Sequence, residues 1–522
     1  MNELNKETID IEKKIFLSLT KDDNELINAN DFISELKKKG IQKNDPRLNK
    51  LIKDLESLDN NNINYESFKN KIQQYICLIT KVFSDNLIIP NFYNFTNKIT
   101  EIYHNTLKNN EGNVASYIPQ LKRVNPDQFG ISICTISGQR FELGDTNIEF
   151  SIQSCCKPIN YGIALEELGE ENVHNYVGRE PSGQSFNELL LNKDGKPHNP
   201  LINSGAIMTA SLIKKHYTQS EKFEHIINIW SDLCGGLYKI GFNNPVYLSE
   251  KNTADRNFAL AYFMKEINNK KKVGFPENIN INEVLELYFQ CCSIEATTNI
   301  LSIVAATLAN GGINPFSGSR IFKSSTVKNI LSMMMMCGMY DYSGEFAFKI
   351  GLPAKSGVAG AVMMVIPNVM GIATWSPRLD DIGNSTKGIE FCKLFGETFN
   401  FHIFDNLTDT EKIYPINSYY KSNTQKQFYE LCLSASKGDL NNLKILYNNN
   451  IDMNQCDYDG RTALHLAVCE NKINIVDYLV NKVNVKLDIN DRWGNTPLDD
   501  AIRCELNNII KLLKKKLNLN II

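Results

Sequence analysis

The sequence predicts an α/β protein in which a central domain of strands and helices lies between an all-α N-terminal domain and a C-terminal array of helical repeats. Three observations lead to this prediction. Apolar residues recur at helical spacing through residues 1–105. In the middle of the chain, segments that alternate apolar and polar residues lie on both sides of a long helical stretch, and the C-terminal part contains an internal sequence repeat. A length of 522 residues also exceeds what one hydrophobic core holds together.

The N-terminal region, residues 1–105, reads as a small helical domain. In DFISELKKKG, Phe32 and Leu36 share one helix face and Gly40 marks the end of the helix. The run TKDDNELINANDF is similar to a calcium-binding loop, but it lacks the glycine at the sharp turn and the glutamate at the last ligand position. We therefore expect a degenerate EF-hand-like domain that does not depend on calcium.

The central domain, residues 106–405, runs from strands through helices back to strands. ISICTISGQRFELGDTNIEFSI alternates apolar and polar residues around a Ser-Gly turn, which predicts a β-hairpin. KPINYGIALEELG predicts a helix that ends at Gly169, and a mostly helical stretch follows. PAKSGVAGAVMMVIPNVMGIATWSP then predicts two apolar strands joined at Pro367-Asn368, before a linker at residues 406–425.

Residues 426–522 contain an internal repeat. Thr462 in DGRTALHLAV and Thr496 in GNTPLDDAI lie 34 positions apart, and each precedes an apolar helix. This period and the T-x-L-x-x-A start, in which the threonine caps the helix, are typical of ankyrin repeats. Such arrays present a surface to protein partners, so we expect a partner here that the sequence does not identify.

Composition narrows the range of functions. Lys and Arg total 56 against 59 Asp and Glu, a net charge of −3, so neither nucleic acid nor a membrane surface is favoured as a partner. No apolar run is long enough to span a membrane, and the N-terminus resembles neither a signal peptide nor a transit peptide. We expect a cytoplasmic protein, with mitochondria as the alternative. The 13 cysteines include no C-x-x-C pair, so we expect a reducing compartment with neither a disulfide framework nor a zinc site.

The stretch SIQSCCKPINYG offers three candidate nucleophiles: Ser154, Cys155 and Cys156. A catalytic cysteine usually needs a nearby base, and no motif links any of the 7 histidines to these two thiols. Two cysteines after a strand are more simply explained as buried packing residues. No G-x-S-x-G elbow is present either, which leaves Ser154 with Lys157 as its base.

Spacing alone does not select Ser154. Ser-x-x-Lys places both side chains on one helix face, where a neutral lysine amine can take the serine proton. The pattern begins at seven positions: Ser18, Ser34, Ser154, Ser211, Ser325, Ser418 and Ser434. Only Ser154 follows a predicted hairpin at the start of a helix, where the helix N-terminus stabilises an alkoxide. A purely structural Ser-Lys pair remains the alternative at this stage.

A second motif supports the choice. Lys355-Ser356-Gly357 is the K-[ST]-G sequence of the chain, and it opens a predicted strand. Acyl transferases with Ser-x-x-Lys line their site with such a strand, whose backbone N–H groups bind the oxyanion. We expect the N–H groups of Val358 and Ser154 to form this oxyanion hole in a serine β-lactamase-like α/β fold. A D,D-peptidase or β-lactamase-like acyl transferase is therefore one candidate function.

The motifs also resemble a known family in type and order. The carrying segments are YIPQLKRVNPDQFGISICTISGQ, QSCCKPINYGIALEELG, YVGREPSG, KPHNPLINSGAI, DRNFALAYFMKE, LYFQCCSIE, AATLANGG and CGMYDYSGEFAFKIGLPAKSGVAG, followed by the two ankyrin units. Together they resemble the kidney-type glutaminases, and the likeness covers nearly the whole chain. That family hydrolyses the side-chain amide of L-glutamine to L-glutamate and ammonia without a metal or an organic cofactor.

The resemblance implies a role for individual residues. Ser154 would be the nucleophile, Lys157 its base, Tyr340 a proton-relaying hydroxyl and Tyr117 a second tyrosine at the reacting amide. The implied substrate-binding residues are Ser154, Asn203, Glu250, Asn257, Tyr288, Tyr340 and Val358. Physical chemistry is consistent with this division, because free glutamine needs one carboxylate for its ammonium and several neutral donors for its own carboxylate. Which of Lys157, Tyr340 and Tyr117 moves each proton stays open.

The resemblance further implies a homotetramer, a dimer of dimers that meet at an apolar loop. SFNELLLNKDGKPHNP matches that loop, with Leu189, Leu190 and Leu191 as its apolar run. Ser185 and Glu188 stand where animal kidney-type members carry basic residues, so phosphate activation is not implied. The alternative outside enzymology is a scaffold that kept the fold, lost activity and works through its ankyrin repeats.

Overall fold

The computed structural model describes residues 11–20, 26–58, 61–183, 187–271, 274–406, 411–416, 424–449 and 451–517. These residues form two compact units. Unit 1 comprises Met1–Phe92, Phe316–Ser319 and Ile416–Ile522, and unit 2 comprises Tyr93–Pro315 and Arg320–Pro415. Residues 21–25 of the calcium-loop-like run and Ser185 lie outside the described residues.

The N-terminal part of unit 1 consists of helices joined through a short two-stranded sheet. Its elements are α1 (Ile11–Leu19), β1 (Leu26–Asn28), α2 (Ala29–Lys38), α3 (Asn49–Glu56), β2 (Asn62–Asn64), α4 (Tyr65–Ile72) and α5 (Ile76–Phe83). β1 pairs antiparallel with β2, which places Ile27 opposite Ile63. The predicted helix face is confirmed, since Phe32 and Leu36 are each 1% exposed and belong to one core.

The C-terminal part of unit 1 is a stack of helix pairs. Its helices are α19 (Thr424–Lys437), α20 (Leu440–Asn448), α21 (Ala463–Cys469), α22 (Ile473–Asp477), α23 (Pro497–Arg503) and α24 (Asn507–Lys516), and a π-helical turn at Tyr478–Val483 extends α22. Thr462 and Thr496 each accept a hydrogen bond from the third residue of their helix, as the repeat pattern predicts. The inward leucines and alanines of the pairs form one continuous core.

Unit 2 is built around a five-stranded antiparallel sheet of order β5-β4-β11-β10-β9. The strands are β4 (Gly130–Thr135), β5 (Arg140–Gly144), β9 (Ala354–Gly357), β10 (Ala361–Ile366) and β11 (Met370–Trp375). Both predicted hairpins are confirmed: β4 pairs with β5, and β10 pairs with β11 across a turn in which Asn368 has φ 63°. The first and last strands of this sheet in chain order, β4 and β11, are thus paired with each other.

The helical stretch between these strands packs against the sheet. Helix α15 (Thr298–Ala309) is buried along its whole length, and a Cβ at Gly371 of β11 would lie 2.3 Å from the Ala306 nitrogen. Glycine therefore permits the close approach of this helix to the sheet. The remaining helices are α6 (Phe92–Thr106), α7 (Pro119–Lys122), α8 (Lys157–Leu168), α9 (Glu170–His174), α10 (Asn203–Leu212), α11 (Gln219–Leu233), α12 (Asn244–Asn252), α13 (Asp255–Lys271), α14 (Ile281–Cys292), α16 (Ser324–Cys337), α17 (Ser343–Lys349) and α18 (Thr386–Thr398). Short strands are β3 (Asn113–Val114), β6 (Phe150–Ser151), β7 (Gly241–Phe242), β8 (Ile294–Ala296) and β12 (Arg378–Leu379).

Candidate active site

Ser154 lies in a 3₁₀ turn, Gln153–Cys156, that connects β6 to α8. The sequence predicts Ser154 at the start of the helix; α8 itself begins at Lys157 and ends, as predicted, at Gly169 with φ 79°. A 3₁₀ turn has three residues per turn, so positions 154 and 157 still share one face. Gln153, directly before the serine, has φ 48°, a costly conformation for a residue with a side chain and one that is frequent at functional sites.

The K-S-G strand packs directly against this turn. A Cβ at Gly357 of β9 would lie 2.8 Å from the Ile152 carbonyl oxygen and 3.6 Å from Cβ of Gln153. Glycine at this position lets the strand reach the backbone of the turn. Val358 follows at the end of the strand, half-buried beside Ile118 and Val246.

Lys157 is 1% exposed, and burial lowers the pKa of its amino group. Its Nζ donates a hydrogen bond to Oδ1 of Asn203 at 2.6 Å. Among the described residues, no carboxylate forms an ion pair with Lys157. A lysine buried without an anion loses its proton more easily, so it can accept one from a neighbouring hydroxyl.

Asn203 links Lys157 to two further predicted residues. Its Oδ1 also accepts a hydrogen bond from the Tyr288 hydroxyl at 3.2 Å, and its Nδ2 donates to Oδ1 of Asn257 at 3.1 Å. Both lone pairs of the Asn203 oxygen are thereby occupied, which fixes the amide orientation and the position of the lysine amine. Burial raises the pKa of Tyr288, so its hydroxyl remains a neutral donor.

Glu250 receives two hydrogen bonds at the same oxygen. The Tyr117 hydroxyl donates to Oε1 at 2.6 Å and Gln153 Nε2 donates to Oε1 at 3.0 Å. Within the part of the chain that the structure describes, no lysine, arginine or histidine pairs with this carboxylate. Burial raises the pKa of Glu250 and the two donors oppose the rise. The second oxygen is thus available to a cationic ligand.

Tyr117 and Tyr340 differ in their surroundings. Tyr117 is 46% exposed as a residue, but its hydroxyl end is bound to Glu250; burial of that end and the carboxylate raise its pKa. Tyr340 is buried and its hydroxyl donates to the Ser356 carbonyl oxygen at 3.3 Å. Burial raises the pKa of Tyr340, while a hydrogen bond with Ser154 opposes the rise. The Tyr340 hydroxyl is therefore the one beside the nucleophile.

The two neighbouring cysteines are poor nucleophiles in this setting. Cys155 and Cys156 are fully buried, and burial raises the pKa of Cys155 to about 11. The Cys155 sulfur lies 3.5 Å from the Lys355 carbonyl oxygen, on the strand side of the turn. A thiol with a raised pKa contributes little thiolate at neutral pH. These surroundings favour Ser154 as the nucleophile.

Two residues of this arrangement received no role from the sequence. Gln153 orients Glu250, and its only sequence signal is its position next to Ser154. Lys355 belongs to the K-S-G motif, whose pattern assigns its side chain no role, and the structure buries that side chain beneath the Tyr340 ring. All nine predicted site residues lie in unit 2. Hydrogen bonds connect eight of them in three groups: Ser154 with Tyr340, Tyr117 with Glu250, and Lys157 with Asn203, Asn257 and Tyr288.

The described residues contain no group of three or more His, Cys, Asp or Glu side chains placed to hold a metal ion. None of the helices in the described ranges has the length and apolar character needed to cross a membrane. The site accordingly consists of hydroxyl, amine, amide and carboxylate groups, which are suited to acyl transfer at an amide or ester.

Comparison with known proteins identifies the family. The glutaminase family profile matches residues 112–404. The chain belongs to the glutaminase family. It is 42% identical over 495 residues to the rat protein named glutaminase liver isoform, mitochondrial, covering 94% of this chain and 81% of the relative. It is 41% identical to putative glutaminase 3 of Caenorhabditis elegans, covering 93% of this chain and 84% of that protein.

Solved glutaminase structures share the fold of unit 2. A probable glutaminase, ybaS, has a TM-score of 0.55 at 32% identity, covering 59% of this chain and 99% of that chain. A structure titled Mglu in its tris and glutamate form has a TM-score of 0.55 at 33% identity, covering 60% of this chain and 68% of that one. These matches confirm the predicted β-lactamase-like fold class, while the kidney-type subdivision within the family stays a prediction.

The flanking regions match as well. An EF-hand domain profile covers residues 11–90, and an ankyrin repeat profile covers residues 431–522. The predicted EF-hand-like helical region and the predicted ankyrin array are both confirmed.

Proposed function

We propose that this protein hydrolyses the side-chain amide of L-glutamine to L-glutamate and ammonia through a glutamyl ester on Ser154. The observation that carries the proposal is the place of Ser154 beside the Tyr340 hydroxyl, in the turn that leads into Lys157. Lys157 is buried, and no anionic partner for it is found among the described residues. Family membership supports the same substrate. The relatives are named glutaminases, and one neighbouring structure is titled as a glutamate form.

The acylation step follows from these positions. Lys157 accepts the Ser154 hydroxyl proton, and the serine oxygen attacks the amide carbon of glutamine. The oxyanion is held by the backbone N–H groups of Ser154 and Val358, each donor contributing roughly 3 kcal/mol. The proton then passes to the amide nitrogen, by Lys157 directly or through the Tyr340 hydroxyl, and ammonia leaves. Water next attacks the ester by the same route and releases glutamate.

The substrate head group is held by the residues around Glu250 and Asn203. The free oxygen of Glu250 accepts the α-ammonium group, and the Nδ2 groups of Asn203 and Asn257 present N–H donors to the α-carboxylate. The Tyr288 hydroxyl, which donates to Asn203 Oδ1 in the structure, turns to the α-carboxylate when glutamine binds. Tyr117 holds the Glu250 carboxylate in place while lying near the reacting amide. A carboxylate that has no cationic partner in the described part of the chain and lies beside neutral donors fits a small zwitterion better than a peptide or a β-lactam.

The test is glutamate release by the purified protein, coupled to a glutamate dehydrogenase. We expect turnover of glutamine, and none with Ser154→Ala in a folded protein. A β-lactam chromophore assay serves as the comparison, because consumption of the β-lactam instead of glutamine would favour the D,D-peptidase alternative. A folded protein that consumes neither would favour the inactive ankyrin scaffold.

We further propose that the protein self-associates, as a dimer of dimers, through the loop around Leu189, Leu190 and Leu191. Leu189 is 42% exposed and Leu190 is 40% exposed, in a segment without helix or strand among its described residues. Neighbouring exposed leucines are typical of a contact surface. Leu190→Asp should shift the sedimentation coefficient toward a smaller species; an unchanged value would reject this contact.

For location and partners, we propose the cytoplasm and a protein partner for the ankyrin array. All 13 cysteines are free, which fits a reducing compartment. The mitochondrial names of the rat and mouse relatives support mitochondria as the alternative. Imaging of the tagged full-length protein with compartment markers separates the two locations.

A further inference from the structure

Lys355 is a buried lysine that the proposed reaction does not use. It lies in β9 opposite Met363 of β10 and is 0% exposed. Among the described residues, no carboxylate pairs with it. Burial lowers the pKa of Lys355 to about 7, and repulsion from Lys157 adds to the effect. Such a group is costly to bury unless its N–H groups are satisfied.

The Lys355 side chain satisfies its N–H groups with two backbone carbonyls. Its Nζ donates to the Ser356 oxygen at 2.6 Å and to the Gly338 oxygen at 3.1 Å. The neutral amine and the ammonium form each carry at least two N–H groups, so this arrangement survives either protonation state. The Gly338 oxygen also accepts the Ser356 N–H at 3.1 Å, which joins the end of α16 to β9.

Both carbonyls are tied to the position of Tyr340. The Ser356 oxygen that accepts from Lys355 also accepts from the Tyr340 hydroxyl at 3.3 Å. The lysine nitrogen lies 4.6 Å from the centre of the Tyr340 ring. Gly338 brings the segment that carries Tyr340 against the strand, since a Cβ there would lie 1.8 Å from the Ala354 oxygen. Lys355 thus contacts one face of the Tyr340 ring, and its amino group and the Tyr340 hydroxyl donate to the same Ser356 oxygen.

Tyr340 needs such support because its backbone is strained. Its φ is 53°, in the left-handed region, which is an unfavourable conformation for a residue with a side chain. Strained backbone persists where surrounding contacts determine it. Besides Tyr340, the charged or titratable groups near Lys355 are Lys157 at the start of α8, Cys155 and Cys156 from the turn before it, and Cys337 from α16.

We propose that Lys355 is a positioning residue for the reaction, which holds the Tyr340 hydroxyl at Ser154 by binding the Ser356 and Gly338 carbonyls beneath the tyrosine ring. This inference rests on the proposed function, and it assigns Lys355 no contact with glutamine. Loss of the lysine should therefore lower kcat and leave KM nearly unchanged, because the residues proposed to bind the head group lie around Glu250 and Asn203.

The test is a double-mutant cycle with Lys355→Met and Tyr340→Phe, measured as kcat and KM for glutamine, with melting temperature as the folding check. We expect Lys355→Met to lower kcat by about 100-fold in the wild-type background and by less than about threefold in the Tyr340→Phe background. Lys355→Arg keeps N–H donors and should therefore recover part of the lost kcat. If Lys355→Met does not fold, Lys355→Arg takes its place in the double-mutant cycle.

Lys387→Met is the matched control, because Lys387 is a lysine of α18 that is 2% exposed and lies outside the site. We expect it to retain wild-type kcat. Equal losses from the Lys355 change in both backgrounds, in folded proteins, would overturn the positioning role. A wild-type protein that releases no glutamate would instead reject the proposed function itself, so the two failures are distinguishable.

Discussion

Glu250→Gln isolates the contact between the site and the ammonium group of glutamine. Both donors to Glu250, the Tyr117 hydroxyl and Gln153 Nε2, bind the same oxygen, Oε1. A glutamine side chain can keep an oxygen there and place its NH₂ group where Oε2 was. The substitution therefore preserves the internal hydrogen bonds and replaces only the atom proposed to meet the substrate.

The expected loss follows from the chemistry of that one contact. Removing the charge of one partner in a partly buried, hydrogen-bonded ion pair costs about 2–3 kcal/mol, at the lower end of the range for buried pairs, because Glu250 is only half-buried. This corresponds to a fall in kcat/KM of about 30- to 150-fold. The contact exists in the ground state as well as in the transition state, so most of the loss should appear as a higher KM.

The assay compares glutamine with the analogue that lacks the α-amino group, using ammonia release as a readout common to both. The wild-type enzyme should prefer glutamine strongly, and Glu250→Gln should lose most of that preference. Glu286→Gln is the control, since Glu286 of α14 pairs with Lys251 of α12 at 2.6 Å and neither side chain is among the predicted site residues. Its kcat/KM should stay within about twofold of wild type. A Glu250→Gln enzyme that still prefers glutamine by the wild-type factor would refute the assignment.

Three further predictions concern the base, the thiols and the repeats. Because burial lowers the pKa of Lys157, kcat/KM should fall as pH decreases through a value below the ordinary lysine range, where the amine gains its proton; a profile flat to low pH would contradict this. The double variant Cys155→Ala/Cys156→Ala should keep kcat within about threefold of wild type and lower the free energy of unfolding, measured in urea, by about 1–2 kcal/mol. A double variant that folds but is inactive would instead favour a cysteine as the nucleophile. Thr462→Val removes the capping hydrogen bond of α21 and should destabilise the array by about 1 kcal/mol with kcat unchanged, and an unchanged unfolding midpoint would contradict the capping role.

Structural features that depend on residues close together in the sequence could be predicted. The hairpin of β4 and β5, the end of α8 at Gly169 and the caps at Thr462 and Thr496 depend on residues within one turn of each other. Hydrophobic periodicity and turn chemistry act over that range, so the pattern and the structure agree. The family resemblance supplied the assignments that local pattern did not select, namely Tyr117, Asn203, Glu250, Asn257, Tyr288 and Tyr340.

The contacts that make the site work are nonlocal. The bond from Lys157 to Asn203 spans 46 positions, and the bond from Tyr117 to Glu250 spans 133. Spacing in the sequence carries no signal for such pairs. The 3₁₀ turn at Ser154 depends on the left-handed conformation of Gln153. Glycine and asparagine adopt that conformation most readily, so a glutamine there gives no sequence signal for it. The placement of Lys355 beneath Tyr340 likewise depends on how β9 packs against the end of α16.

The most direct test of the account is to map the covalent intermediate. Acid quench during turnover of glutamine, followed by peptide mass spectrometry, should find one glutamyl group attached through an ester to Ser154, and Ser154→Ala should show no adduct and no turnover. An adduct on Cys155 or Cys156, or continued glutamate release by the folded Ser154→Ala protein, would contradict the serine mechanism.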